Sequence, residues 1–296
     1  MNVEWKPVMM EDRELIENFY EKEQPMSCEF SFANNILWSP YYHTTYSVVR
    51  DCLVFRSGGE EFSVSFPIGR GDVKGVVEDF LEHCKEQDIA FAMHLVTQEQ
   101  FERLEELFPG KFQIEFNRDY ADYIYESEKL CTLAGKKLHG KRNHINKFKQ
   151  NYPEWTFEEL TDANVNECVA MAHEWAKRNG VEEDEGKNAE FAVTLRALKE
   201  HDSLRLRGGL IRADGEVVAF SLGEPCSRDT FVVHIEKAYA DVQGAYPMMN
   251  QQFVEHIARE YRYINREEDT GSEGLRKAKL SYYPDILLEK GLVTLK

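Results

Sequence analysis

The most informative stretch of this chain is Thr230-Phe-Val-Val-His-Ile-Glu-Lys-Ala-Tyr239, followed by Asp241-Val-Gln-Gly-Ala245. The first part is rich in β-branched and aromatic residues, which is typical of a buried strand. The second part predicts a tight turn, and residues 246–261 then follow a helical period. This helix has one apolar stripe, made of Met249, Phe253 and Ile257. Its first turn would present unpaired N–H groups, which bind anions well.

The turn between this strand and this helix resembles the pyrophosphate loop of the GNAT acyltransferase superfamily, which has the pattern Q/R-x-x-G-x-G/A. Gln243, Gly244 and Ala245 carry the resemblance. Tyr246 departs from the pattern because a small residue is usual at its position. We therefore expect a loop that is partly closed.

A series of short motifs carries a second, more specific resemblance, which covers nearly the whole chain. The series resembles the soluble, stand-alone relatives of the phosphatidylglycerol lysyltransferase C-terminal domain, a family long described as a domain of unknown function. In order, the motifs are Leu133-Ala-Gly-Lys-Lys137, Lys141-Arg-Asn143, Glu236-Lys237-Ala238, Glu268-Asp-Thr-Gly271 and Gly274-Leu-Arg-Lys-Ala-Lys-Leu-Ser-Tyr-Tyr-Pro284.

The resemblance implies an α+β fold of three layers, with two tandem GNAT-like domains as in the Fem-type aminoacyltransferases. Each domain would hold a mixed, mostly antiparallel twisted sheet flanked by helices. We expect a degenerate GNAT-like domain at residues 1–128 and a GNAT-like domain with the donor-binding loop at residues 129–296. A last strand within residues 286–295 is expected to close the second sheet.

The composition limits the classes of function. The 296 residues include 36 Lys and Arg against 53 Asp and Glu, a formal charge of −17. This balance disfavours a general binder of nucleic acid or anionic membranes. No stretch approaches the roughly 20 apolar residues of a membrane span, and the N-terminus has no apolar signal core, so we expect a cytoplasmic protein. The six cysteines lack metal-binding spacing, so we expect buried thiols and no metal site.

The segment from 130 to 153 has a charge opposite to that of the rest of the chain. It contains no acid, and its positive charges would suit a diphosphate, a 3′-phosphate or tRNA. The alternative is a solvated helix face. The basic residues are Lys136, Lys137, Lys141, Arg142, Lys147 and Lys149.

GNAT-type transfer works mainly by positioning donor and acceptor, so the missing nucleophile signature is expected. Glu236, at the end of the central strand, is the candidate general base, and the alternative is a salt bridge with its neighbours. Tyr282 or Tyr283 is the candidate general acid, and the alternative is an aromatic packed before Pro284. His234 is predicted to be a satisfied core histidine.

Two more groups of charged residues are candidates for substrate contacts. Arg276, Lys277 and Lys279 share a predicted helix and are expected to meet donor phosphates together with the loop at 243–246. Glu267, Glu268 and Asp269 follow a predicted strand and are expected to bind an acceptor amine.

The resemblance implies aminoacyl transfer from a charged tRNA to an amine or hydroxyl acceptor, which would be a small molecule, a lipid or a peptide. The first alternative is an acyl-CoA-dependent N-acyltransferase, and the second is a non-catalytic ligand-binding protein with the same fold. In either enzyme the aminoacyl-tRNA or acyl-CoA is a co-substrate, and no tightly bound cofactor is expected.

Overall fold

The computed structural model describes residues 3–59, 62–181 and 185–296. Its strands are β1 (Lys6–Pro7), β2 (Thr45–Val49), β3 (Cys52–Arg56), β4 (Ile68–Gly69), β5 (Ala92–Thr97), β6 (Phe112–Phe116), β7 (Asp122–Glu126), β8 (Thr156–Glu159), β9 (Arg207–Ala213), β10 (Glu216–Pro225), β11 (Thr230–Ala238), β12 (Tyr263–Asn265), β13 (Ile286–Leu288) and β14 (Lys290–Leu295).

The helices follow the amphipathic segments of the sequence. They are α1 (Arg13–Glu23), α2 (Phe32–Tyr42), α3 (Val73–Gln87), α4 (Gln98–Leu107), α5 (Ser127–Thr132), α6 (His139–Asn151), α7 (Val165–Arg178), α8 (Glu185–Lys199), α9 (Ala245–Phe253) and α10 (Glu273–Leu280). Within the described ranges, no helix combines the length and the apolar composition that a bilayer crossing requires.

The chain divides into two compact units. The first holds Met1–Tyr123, Glu268–Lys277 and Ile286–Lys296, and the second holds Ile124–Glu267 and Ala278–Asp285. The predicted division at residues 128 and 129 was contiguous, whereas the chain here returns to the first unit twice after leaving it.

The C-terminal segment belongs to the first unit because of β14. In the first unit β1, β2, β3 and β4 form one antiparallel sheet, and β14 lies between β5 and β6 in a second. Val293 pairs with Met93 on one side and with Ile114 on the other, and it is fully buried. The prediction that residues 286–295 close the second domain's sheet is therefore wrong for β14, which completes a sheet of the first unit.

The second unit is built on the strand order β7-β12-β11-β10-β9-β8. Its strands pair antiparallel except for β11 and β12, which are parallel. Parallel neighbours need a crossover connection, and α9 supplies it. Asp214 and Gly215, with φ of 52° and 85°, form the predicted hairpin turn between β9 and β10. Together these features confirm the mixed α+β class and the mostly antiparallel sheet.

Candidate active site

A buried ion pair lies where β11 and β12 end. Because the two strands are parallel and pair Val232 with Asn265, the residues that follow them lie at the same edge of the sheet. There Arg266 Nη2 donates to Glu236 Oε1 at 2.9 Å, and the two side chains are only 12% and 13% exposed. Arg266 Nη1 is buried and has no hydrogen-bond partner among the described residues.

Asn250 brings a second unpaired atom to the same carboxylate. It lies on α9, is 1% exposed, and donates from Nδ2 to Glu236 Oε2 at 3.3 Å. Its Oδ1 is buried and, within the described part of the chain, accepts no hydrogen bond. Buried polar atoms are rarely left without a partner because desolvation costs about 1–3 kcal/mol. Glu236 is thus flanked by one unused donor and one unused acceptor.

Two tyrosine rings form an aromatic wall beside Arg266. The guanidinium carbon is 5.0 Å from the ring centroid of Tyr282 and 5.9 Å from that of Tyr125. The Tyr125 hydroxyl is held by the Lys279 carbonyl at 2.7 Å. Burial raises the pKa of Tyr282, and the opposing effect of Arg266 is smaller, so this phenol keeps its proton.

Lys141 approaches the same group from α6. Its Nζ lies 4.0 Å from the ring centroid of Tyr282, a cation–π distance. It shares a helix face with Ile145 and Phe148, which are 3% and 0% exposed, because the three follow the helical period. Burial and then the charge of Arg266 lower the pKa of Lys141 to about 8, although Glu236 acts in the opposite direction.

The predicted pyrophosphate loop does lie between β11 and α9, but α6 packs against it. Gly244 caps α9 with φ of 88°, and a Cβ added there would lie 2.3 Å from the His144 carbonyl oxygen. Tyr246 is partly buried, and its hydroxyl accepts from Trp175 Nε1 at 3.4 Å. The close approach of α6 therefore explains why Gly244 must lack a side chain, without a bound ligand.

The packing of α6 against Gly244 can be tested by comparing Gly244→Ala with the same change at another glycine of positive φ. Gly215 has a similar φ of 85° but nothing within 4 Å of an added Cβ. Gly215→Ala should cost only the left-handed backbone penalty, about 1 kcal/mol. Gly244→Ala should cost roughly 1–3 kcal/mol more because of overpacking. Urea unfolding of both variants measures the difference, and equal losses would contradict a steric role for α6.

The other predicted donor residues are spread over separate places. Arg142 donates to the carbonyl oxygens of Leu133 and Gly135 and so fixes the loop before α6. Tyr283, the other candidate general acid, is 45% exposed, and the ammonium of the predicted donor residue Lys137 lies 5.2 Å from its ring centroid. Three more of the predicted donor residues are exposed, namely Lys136, Gln243 and Lys277. Ala245, which was also predicted to contact the donor, is buried.

The acidic run at 267–269 is divided between the two units. Glu267 belongs to the second unit, where its carboxylate and that of Glu224 hold His234 at 2.7 and 3.2 Å. Burial lowers the pKa of His234, but these two hydrogen bonds outweigh burial and raise it to about 10. His234 is thus a satisfied core histidine, as predicted. Lys279 Nζ donates to the Glu267 carbonyl at 3.2 Å.

Asp269 lies in the first unit and is fully buried. It accepts from Arg276 Nε at 2.9 Å, from the Tyr123 hydroxyl at 2.5 Å and from the Gly271 N–H at 3.0 Å. Arg276 also donates to Asp119 at 2.6 Å. Arg276 and Asp269 therefore satisfy each other, which leaves little of either for a donor phosphate or an acceptor amine.

A second buried cluster of the first unit surrounds Lys290. Its ammonium lies 2.9 Å from Asp122 and also pairs with Glu29. Cys28 Sγ lies 3.5 Å from Glu268, and Cys28, Glu29 and Glu268 could place three ligand atoms within 4.8 Å of one another. Burial opposes a charge on Lys290, but Asp122 and Glu29 help to raise its pKa well above the usual value. The lysine thus supplies the positive charge that a metal ion would bring.

The structure thus brings together two of the predicted catalytic residues, Glu236 and Tyr282, with one predicted donor residue, Lys141. The sequence analysis missed Arg266, Asn250 and Tyr125. Arg266 directly follows β12, and a charged residue at the end of a buried strand was a usable signal. Asn250 gave no signal, because a single amide in a helix is common on exposed faces.

Solved structures of similar shape define the class of this fold. The chain superposes on a conserved protein of unknown function from Bacteroides thetaiotaomicron with a TM-score of 0.94 and 40% identity over 100% of both chains. L-PGS from Bacillus licheniformis follows, with a TM-score of 0.67 and 17% identity over 99% of this chain and 94% of that one. A tandem GNAT protein from the clavulanic acid biosynthesis pathway has a TM-score of 0.50 and 8% identity over 99% of this chain and 98% of that one. The fold is therefore the tandem GNAT-like fold, as predicted.

Sequence comparison then places the chain in a family. The family model described as phosphatidylglycerol lysyltransferase, C-terminal, matches residues 21–293, and the chain belongs to that family. The description of this family names a lysyltransferase, and the fold is the tandem GNAT-like fold. An uncharacterised protein of Mycoplasmoides gallisepticum is 26% identical over 190 residues. That match covers 62% of this chain and 59% of the length of that relative.

Proposed function

We propose that the second unit transfers an aminoacyl group from a charged tRNA to an amine or hydroxyl acceptor. The observation that carries this proposal is the pair of unused atoms beside Glu236, the donor Arg266 Nη1 and the acceptor Asn250 Oδ1. An aminoacyl ester has a carbonyl oxygen that accepts and an α-ammonium group that donates. It can therefore satisfy both atoms, whereas an acetyl group offers only the carbonyl.

The charges around the two atoms favour the same ligand. Glu236 Oε2 is bonded to Asn250 Nδ2, so its negative charge lies beside the amide that would meet the ammonium. Arg266 would polarise the acyl carbonyl, as positively charged donors do in acyl transfer. The family description supports this reading, because a lysyl group is an aminoacyl group.

The second candidate is an acyl-CoA-dependent N-acyltransferase, which the Gln243–Ala245 motif favours. The packing of α6 against Gly244 weighs against it, because a pyrophosphate would need the space in front of that turn. Exposed Lys136, Lys137, Lys147 and Lys149 remain available for the phosphates of a larger polyanion such as tRNA.

Filter binding with a defined set of tRNAs tests the donor. Aminoacyl-tRNA should bind about 10–100-fold more tightly than the same tRNA with an N-acetylated aminoacyl group, because acetylation removes a charged hydrogen-bond donor worth about 1.5–3 kcal/mol. The variant Asn250→Leu should lose this discrimination but keep the binding to uncharged tRNA. Affinity should also fall steeply with salt, because phosphate contacts release counterions.

Calorimetry with acetyl-CoA and CoA completes the experiment. Micromolar binding of CoA without binding of tRNA would replace the proposal by the acyl-CoA candidate. Binding of neither donor would support the non-catalytic alternative. Equal affinity for aminoacyl-tRNA and for its N-acetylated form would show that the two unused atoms do not contact the ammonium group.

A further inference from the structure

Lys141 differs from the other lysines of its helix. Lys147 and Lys149 are exposed, whereas Lys141 lies half-buried on the packed face of α6, in line with Ile145 and Phe148. A lysine on a packed face is rare unless a carboxylate pairs with it. The described part of the chain provides no such ion pair for Lys141, whose Nζ instead lies over the Tyr282 ring.

The surroundings of Lys141 act on its protonation in both directions. Burial and then the like charge of Arg266 disfavour the ammonium form, whereas Glu236 and the face of the Tyr282 ring favour it. The net effect lowers the pKa of Lys141. α9, which packs on α6, carries Tyr246 as its one titratable residue. A lysine in such a place is ready to act as an amine near neutral pH, as buried catalytic lysines do.

Glu236 is less suited to accept a proton. One of its carboxylate oxygens takes the hydrogen bond of Arg266 Nη2, and the other takes that of Asn250 Nδ2. Both oxygens of this carboxylate are therefore already engaged by hydrogen-bond donors. The prediction from sequence that Glu236 is the general base stays a prediction, and the surrounding geometry offers Lys141 as a second candidate.

We propose that Lys141, as a neutral amine, is the proton acceptor of the reaction; this inference rests on the proposed function. The acceptor's nitrogen or oxygen forms a bond to the acyl carbon, and its proton moves to Lys141 Nζ. The ester bond from the acyl carbon to the ribose oxygen of the tRNA breaks. The ribose oxygen then takes the proton from Lys141, which returns to its neutral form, and no further reactant is needed.

The titration of Lys141 can be followed without any substrate. Competitive labelling with acetic anhydride across pH 6–11, read by peptide mass spectrometry, gives a midpoint for each lysine. We expect a midpoint near pH 8 for Lys141, against about 10.4 for lysine in a model peptide. Lys147 and Lys149 on the same helix are the controls. A midpoint for Lys141 that coincides with theirs would overturn the proposal, whichever donor the protein uses.

Turnover with aminoacyl-tRNA and a simple amine acceptor tests the catalytic role. Lys141→Met should lower kcat by roughly 10²–10⁴-fold, and Lys141→Arg should not restore it because a guanidinium stays protonated. Added methylamine should partly rescue Lys141→Ala. The wild-type rate should rise with pH to a plateau above about pH 8. A wild-type rate in Lys141→Arg, or no rescue by methylamine, would overturn the proposal.

The two experiments separate this inference from the proposed function. A low midpoint for Lys141 with no turnover of any charged tRNA would reject the aminoacyl donor and, with it, the reaction written above. Turnover together with full activity of Lys141→Met would keep the proposed function and reject Lys141 as the proton acceptor.

Discussion

Replacing Lys290 with methionine is expected to lower the free energy of unfolding by roughly 3–5 kcal/mol, the typical result of removing one partner of a buried ion pair. Lys290 and Asp122 are both fully buried, and the ammonium lies 2.9 Å from the Asp122 carboxylate. Methionine keeps the length of the side chain, so the loss reports mainly the missing charge. Urea unfolding at pH 7 with an unchanged m-value measures it.

Two controls make this prediction specific. Lys277→Met removes an exposed lysine of the same unit and should change stability by less than about 0.5 kcal/mol. The double variant Lys290→Met with Asp122→Asn should lose less than the sum of the two single changes, because the amide no longer leaves a buried charge. A loss under about 1 kcal/mol for Lys290→Met would contradict the prediction, because it would mean that water or other residues compensate for the missing charge.

Replacing Arg266 with methionine is also expected to lower the free energy of unfolding by roughly 3–5 kcal/mol, because Glu236 would lose the cation with which it forms a buried ion pair. The two side chains are 12% and 13% exposed and share a 2.9 Å hydrogen bond. Arg266→Met should also weaken the binding of aminoacyl-tRNA and of its N-acetylated form by a similar factor, because both keep the acyl carbonyl that Arg266 Nη1 would meet. Chemical unfolding and filter binding of the same preparation measure both effects.

The matched control for Arg266 is an arginine at the other end of β12. Arg262 precedes β12, is 65% exposed and lies 3.9 Å from Glu126, so Arg262→Met should cost less than about 1 kcal/mol. Combining Arg266→Met with Glu236→Gln should recover part of the stability, because the uncompensated charge is gone. Strict additivity of the two changes would show that the pair is not coupled.

Much of the second unit could be predicted from the sequence because its signals are local. The run Thr230–Ala238 is a strand because its residues are apolar and β-branched, and Asp214 with Gly215 forms a turn because both tolerate positive φ. The family and the tandem GNAT-like fold were also predicted correctly, from the order of several motifs rather than from any one of them.

The candidate site was predicted only in part because its residues meet through the tertiary structure. Asn250 and Lys141 come from two helices, and their spacing in sequence gives no sign that both reach Glu236. The acidic run was misleading for a different reason. Glu267 and Asp269 are neighbours in sequence, but each is already engaged by a different partner, His234 for the first and Arg276 for the second.

The position of β14 between β5 and β6 has a consequence for synthesis on the ribosome. The two outer strands are complete by residue 116, yet the strand that joins them ends at residue 295. A nascent chain therefore carries β5 and β6 with open hydrogen-bonding edges while the whole second unit is translated. At about 5–20 residues per second this interval lasts on the order of 10–40 seconds. Such edges invite pairing with other chains, so we expect the nascent protein to be more prone to aggregation than its native stability suggests.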